Sequence, residues 1–188
     1  MSAEGSTVVI VIDVQNAVVG GLGGSQNTEA HHALHQVVGR ICELLERARA
    51  HNVPVIYVQH DGGPGHRLER GTAGWEIRAE IAPRPGERII EKRACDSFFQ
   101  TTLDADLRAM GITRLIVTGC RTEYCVDTTV RRAVSLGYDV VLASDGHTTA
   151  DEGGLSCEQI IAHHNTVFED FDAGDHAVSV RPCAAIEL

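Results

Sequence analysis

Short, almost wholly apolar and β-branched runs, separated by stretches of helical periodicity, constrain this chain most. Residues 7–13 (TVVIVID), 53–59 (VPVIYVQ), 88–92 (RIIEK), 114–118 (RLIVT), 139–144 (DVVLAS) and 177–180 (AVSV) read as strands. A strand with one wet face alternates apolar and polar residues. Runs without a polar face need cover on both sides, as in a parallel sheet packed between helices. The intervening segments supply that cover. Val37, Val38, Ile41, Leu44, Leu45 and Ala48 recur at the spacing of one helical face. Further helices are expected over 101–110, over 123–136 and over 158–168, the first two stopped by Gly111 and Gly137. Residues 61–87 are rich in Gly and Pro and read as an irregular excursion, with a helical turn or two around 75–81. The expected fold is a single domain over 1–188. It is a three-layer α/β/α sandwich with a doubly wound, mainly parallel six-stranded sheet of Rossmann-like order 3-2-1-4-5-6.

Sheets of this kind bind ligands outside the carboxyl ends of their strands. Asp13 closes the first run, Lys92 closes the third, and Cys125 opens the helix after the fourth. A nucleophile, a base and a cation are thereby directed to one sheet edge. Lys92 is the only lysine beside fifteen arginines, which points to a need for a compact ammonium rather than a delocalised guanidinium. A helix start and an adjacent ammonium both lower a thiol pKa, so Cys125 is expected as an activated thiol. The loop GCRTEY (119–124) offers backbone N–H groups for an oxyanion. Cys42, Cys95, Cys157 and Cys183 read instead as small buried hydrophobes.

Composition removes other classes. A net charge of −10 opposes nucleic-acid binding, which depends on basic residues neutralising phosphates. No apolar run reaches the roughly 18 residues of a membrane span. MSAEGSTVVIVID has neither the basic start nor the cleavage site of a signal peptide, so the expected location is cytoplasmic, with reduced cysteines.

The segments VIDVQN (11–16), EKRACDSFFQT (91–101), VTGCRTEYCVDTTVRRAVSLGYDVVLASDGHTT (117–149) and IIAHHN (160–165) resemble the isochorismatase-like cysteine hydrolases. That superfamily includes nicotinamidases and carbamoyl and ureido amidohydrolases. The TGxxTxxCV core is the specific part. The resemblance implies a catalytic triad of Asp13, Lys92 and Cys125, with an oxyanion hole on the amides of Arg121 and Cys125. It also implies a non-proline cis peptide at Cys120–Arg121, a small amide-like substrate split through a thioester, and a homo-oligomer, dimer or tetramer. Enzymes of the superfamily that split a vinyl ether lack the cysteine, so Cys125 favours C–N cleavage.

One departure bears on cofactors. The nicotinamidases carry a D-x-H metal motif after the second strand, whereas this chain reads QHDGGPGH (59–66). His60, Asp61 and His66 remain the only metal candidates there, and the expectation is no metal and no other cofactor. A metal-assisted nicotinamidase-type amidase and a catalytically silent protein acting through contacts are the alternatives. A dinucleotide-binding oxidoreductase fits poorly, because six residues separate the first run from the Gly-rich segment 20–24, which is also misspaced. Gln15, Trp75, Phe98 and Tyr124 are the expected substrate-lining residues, with Trp75 on an excursion able to cover the site. His147 reads as a structural hydrogen-bonding residue.

Overall fold

A computed structural model describes residues 6–22 and 28–188. In chain order the main elements are β1 (Ser6–Ile12), α1 (Asn16–Leu22), α2 (Thr28–Ala50), β2 (Val55–His60) and β3 (Arg88–Lys92). Then come α3 (Leu103–Ala109), β4 (Ile112–Cys120), α4 (Asp127–Ser135) and β5 (Asp139–Thr148). The chain finishes with α5 (Cys157–Glu169), β6 (Asp172–Ala173) and β7 (His176–Arg181). The sheet runs β3-β2-β1-β4-β5-β7-β6, parallel except for the antiparallel β6–β7 pair.

Alternate residues of the apolar strands feed two separate cores, which is why those strands show no polar face. Val9, Val11, Val55, Tyr57 and Ile116 pack with Ile41, Leu44, Leu45 and Ala48 of α2 on one side. Val8, Ile10, Ile12, Ile56 and Val117 pack on the other with Leu103 and Leu107 of α3, Val130 and Val134 of α4, and Phe168 of α5. The three layers match expectation. The sheet has seven strands rather than six, because two residues after α5 pair back on β7 as β6. A run that short carries no periodicity to read. Helix α1 was also unanticipated, since its sequence NAVVGGL ends in glycines that disfavour a helix interior. No helix among the described residues is long and apolar enough to cross a membrane.

From β1 the chain winds outward to β2 and β3, then returns to place β4 on the other side of β1. That reversal makes the β1–β4 boundary the topological switch point, where the loops leaving two adjacent strands diverge and open a crevice. Its floor is tight. Gly119, paired with Ile12, has φ +127°, and a Cβ there would lie 2.1 Å from the Ile12 carbonyl oxygen. Gly119→Ala should therefore cost on the order of 3 kcal/mol, read by equilibrium denaturation as a lower midpoint with an unchanged slope.

Candidate active site

Asp13 is the first residue past β1 and takes a left-handed backbone conformation, φ 52°, which Asp tolerates better than most side chains. Its carboxylate is buried, with Oδ2 2.8 Å from Lys92 Nζ, while Oδ1 accepts no hydrogen bond among the described residues. Lys92 ends β3, two strands away from β1, so its ammonium must cross β2 to reach Asp13. That is roughly two spacings of 4.8 Å, which a long flexible side chain covers. The ammonium also donates to the Cys95 carbonyl at 3.0 Å.

Cys125 enters from the opposite side of the switch point. β4 ends at Cys120, the Cys120–Arg121 peptide is cis, and Thr122–Val126 forms one π-helical turn before α4. The Arg121 carbonyl accepts from the N–H groups of Tyr124 (3.2 Å) and Val126 (3.1 Å), and the Cys125 N–H between them does not join. Asp13, Cys125, Cys120, Arg121 and Tyr124 line one cavity of about 190 Å³, closed by Val18, His60, His66, Arg67, Leu68 and Cys95.

Electrostatics correct one expectation. Burial pushes the Cys125 thiol well above its usual range, the Asp13 carboxylate pushes it further, and Lys92 opposes both without reversing them. The resting thiol is thus protonated and depends on a base at the moment of attack. Burial also disfavours the Lys92 ammonium, yet Asp13 and Cys125 more than offset it and hold its pKa up. Lys92 therefore rests as an ammonium beside a neutral Cys125 thiol.

A buried chain of side chains fixes the start of the π turn. Asn165 Nδ2 donates to the Ser144 carbonyl at 3.0 Å, which leaves Oδ1 to accept from His147 Nε2–H at 2.9 Å. His147 Nδ1 then accepts from the Thr122 hydroxyl at 2.8 Å. Burial holds the His147 pKa down, to about 4, so the ring keeps this neutral tautomer. The structural reading of His147 gains two named partners, Thr122 and Asn165.

The substrate-lining expectations divide. Tyr124 lies on the cavity wall under the Arg121 guanidinium, 5.0 Å from its ring centre. Phe98 does not reach the cavity. It is buried with Leu103 and Leu107 and stacks on Tyr138 at 6.1 Å, because the turn after Lys92 directs it inward and its neighbour Phe99 outward. Gln15 is fully buried and acts as a brace, accepting from the His60 N–H and donating to the His60 and Trp75 carbonyls. Trp75 is half-buried and is not on the cavity wall, and its carbonyl accepts from Gln59 as well as from Gln15. His66, Arg67 and Leu68 are the part of the excursion that forms the wall. Cys95, expected in a core, is exposed on that wall. No periodicity marks these wall residues, and only their place in a Gly-rich excursion hinted at a site. Of the metal candidates, His60 and His66 line the cavity. Asp61 is engaged elsewhere, by Arg93 at 2.6 Å and the Gly63 N–H at 2.9 Å. Among the described residues no group of three or more His, Cys, Asp or Glu is placed to hold a metal ion.

The isochorismatase domain profile matches residues 7–160. Two streptothricin hydrolase sequences from Streptomyces noursei are similar. One is 40% identical over 76% of this chain and 50% of its own length, the other 38% identical over 95% and 69%. The chain thus spans half the length of the first. Ureidoacrylate amidohydrolase RutB of Variovorax paradoxus is 29% identical over 86% of this chain and 75% of its own. Among solved structures, an isochorismatase from Pseudomonas putida superposes with TM-score 0.82 at 30% identity, covering 97% of this chain and 90% of that one. A cysteine hydrolase from Pseudomonas syringae pv. phaseolicola gives TM-score 0.79 at 28% identity, with 95% and 89% covered.

Two outcomes are expected. Asp13→Asn should lower the pH at which the Cys125 thiolate forms, since the carboxylate raises the thiol pKa. An unchanged or higher midpoint, read as the 240 nm thiolate absorbance that Cys125→Ala lacks, would contradict the assigned thiol state. His147 is neutral in the fold down to about pH 4 but protonates near 6.5 when unfolded, so its share of stability is present above 6.5 and lost as pH falls toward 4. His147→Gln should flatten the fall of Tm across that window.

Proposed function

Because this chain belongs to the isochorismatase family, we propose that it is a hydrolase of non-peptide C–N bonds that attacks a small amide, carbamoyl or ureido carbonyl with Cys125. One observation carries the reading. A buried Asp13, held at one oxygen by Lys92 and without a partner at the other among the described residues, lines the same small cavity as Cys125. The streptothricin hydrolases, the ureidoacrylate amidohydrolase and the cysteine hydrolase among its relatives support amide or ureido chemistry and a thiol nucleophile.

The steps follow from the charge state. As Cys125 Sγ adds to the carbonyl carbon, Asp13 takes the thiol proton, so no free thiolate has to accumulate. Negative charge moves onto the carbonyl oxygen, and the N–H groups of Arg121 and Cys125 receive it. Such donors contribute about 2.7–4 kcal/mol each to the transition state. Asp13 then gives its proton to the leaving nitrogen, and the C–N bond breaks to leave a thioester. A water molecule deprotonated by Asp13 attacks that thioester, the acid departs, and the proton returns to Cys125. Throughout, Lys92 holds Oδ2 and leaves Oδ1 to do the transfers. Nothing in this sequence calls on a metal or another cofactor.

An ammonia-release screen over primary amides, ureas, carbamates and hydroxamates, run with and without a chelator, tests the reading. Turnover of at least one class is expected, insensitive to chelation. Cys125→Ala should then lower kcat by at least about 10³-fold with an unchanged melting curve. Near wild-type turnover by that variant would refute the cysteine mechanism, and loss of activity to the chelator would restore the metal-assisted alternative.

A further inference from the structure

The cavity that contains Cys125 is unevenly charged. Asp13 is matched by Lys92, and Arg121 is matched twice, by Glu123 and Glu152, each at 2.8 Å. Arg67 lines the same cavity and has no carboxylate partner among the described residues. The contrast with the adjoining hollow is sharp. There, around the far side of Lys92, Arg93 is paired with Asp61 at 2.6 Å and Arg70 with Glu91 at 2.7 Å.

The exposed Arg67 side chain lies along α1. Its Nη1 donates to the Ala17 carbonyl at 3.2 Å, which fastens it against α1. Gly21, on the last turn of α1, leaves room for it, since a Cβ there would lie 2.6 Å from Arg67 Nη1. A second donor is adjacent in the chain. The Leu68 N–H donates to His66 Nδ1 at 3.1 Å, so the neutral His66 ring carries its proton on Nε2. Both residues line the cavity.

We propose that Arg67, with His66 Nε2–H, binds a carboxylate of the substrate at the end remote from the scissile carbonyl. The substrate class is then an acid bearing an amide, carbamoyl or ureido group. A guanidinium recognises a carboxylate through charge-assisted hydrogen bonds, and one without a carboxylate partner among the described residues, on the wall of a reaction cavity, supplies that recognition. The anionic end is directed away from Arg121, whose charge is already spent on two glutamates. This inference rests on the reading of Cys125 as nucleophile.

Iodoacetate and iodoacetamide test it without a known substrate. Both are attacked by the thiolate at their CH₂ carbon with loss of iodide, and they differ in bearing a carboxylate or an amide. The readout is the iodoacetate-to-iodoacetamide rate ratio at Cys125, resolved by peptide mass spectrometry and divided by the ratio for a small free thiol at the same pH and salt. The wild-type ratio is expected to exceed one by about tenfold, the effect of one charge-assisted hydrogen bond. Arg67→Gln should return it close to one and Arg67→Lys should retain most of it. Labelling by both reagents without an anion preference, or a preference untouched by Arg67→Gln, overturns the carboxylate site and leaves the nucleophile standing. Failure of both reagents to label Cys125 at pH 9 overturns the nucleophile and this inference with it.

Discussion

Asp13 and Lys92 meet 2.8 Å apart with both side chains almost wholly removed from water. Desolvating two such ions costs about several kcal/mol each, which their attraction repays only with good geometry and further hydrogen bonds. The pair makes a poor stabilising device and a good functional one. It draws together strands that are not neighbours, since β1 and β3 are separated by β2. It fixes one carboxylate oxygen and leaves the other unengaged. Removing either partner would strand a charge in the interior, so the two residues stand or fall together. A lone lysine in an arginine-rich chain follows from this: one ammonium fits between a carboxylate and the Cys95 carbonyl where a planar fork would not.

The thiol inherits its behaviour from the same pair. Beside a cation alone, Cys125 would ionise readily. Beside a neutralised cation and inside an apolar wall, it does not. Activation is deferred to the moment a carbonyl is presented, and the carboxylate that suppresses the thiolate is the group that accepts its proton. The π turn serves that arrangement by presenting Cys125 beside the cis peptide at Cys120–Arg121. The His147 chain ties the turn to β5 and α5 through Thr122 and Asn165.

Much of this was legible in the sequence because it follows from periodicity and topology. Apolar strands announced a covered parallel sheet, and the rule that ligands gather at strand ends brought Asp13, Lys92 and Cys125 to one edge before any contact was known. What stayed hidden depends on direction and sign. Phe98 and Phe99 are indistinguishable by type, yet a single turn sends one into the core and the other to solvent. Cys95 was classed by the habit of its residue type, which says nothing of a loop held by its own carbonyl to Lys92. The thiol pKa turned on burial and an adjacent carboxylate, and neither has a sequence signature. Gln15 reads from the sequence as a substrate-lining residue, and its role as a brace on the His60 and Trp75 backbone depends on side-chain direction.

That brace has a consequence for how such a protein can change. Gln15 and Gln59 clamp the excursion at the Trp75 carbonyl, and Asn16, Ala17 and Arg78 add backbone bonds between the excursion and the residues just after β1. The reacting groups sit just past β1, at the end of β3 and on the turn after β4, whereas the wall at 66–68 is a loop anchored at its base. Machinery and wall are separate modules with a common hinge-free seam. Insertions, deletions or new side chains between the anchors can reshape what enters while the chemistry keeps its geometry. One scaffold is thereby free to acquire new substrates by editing a surface loop.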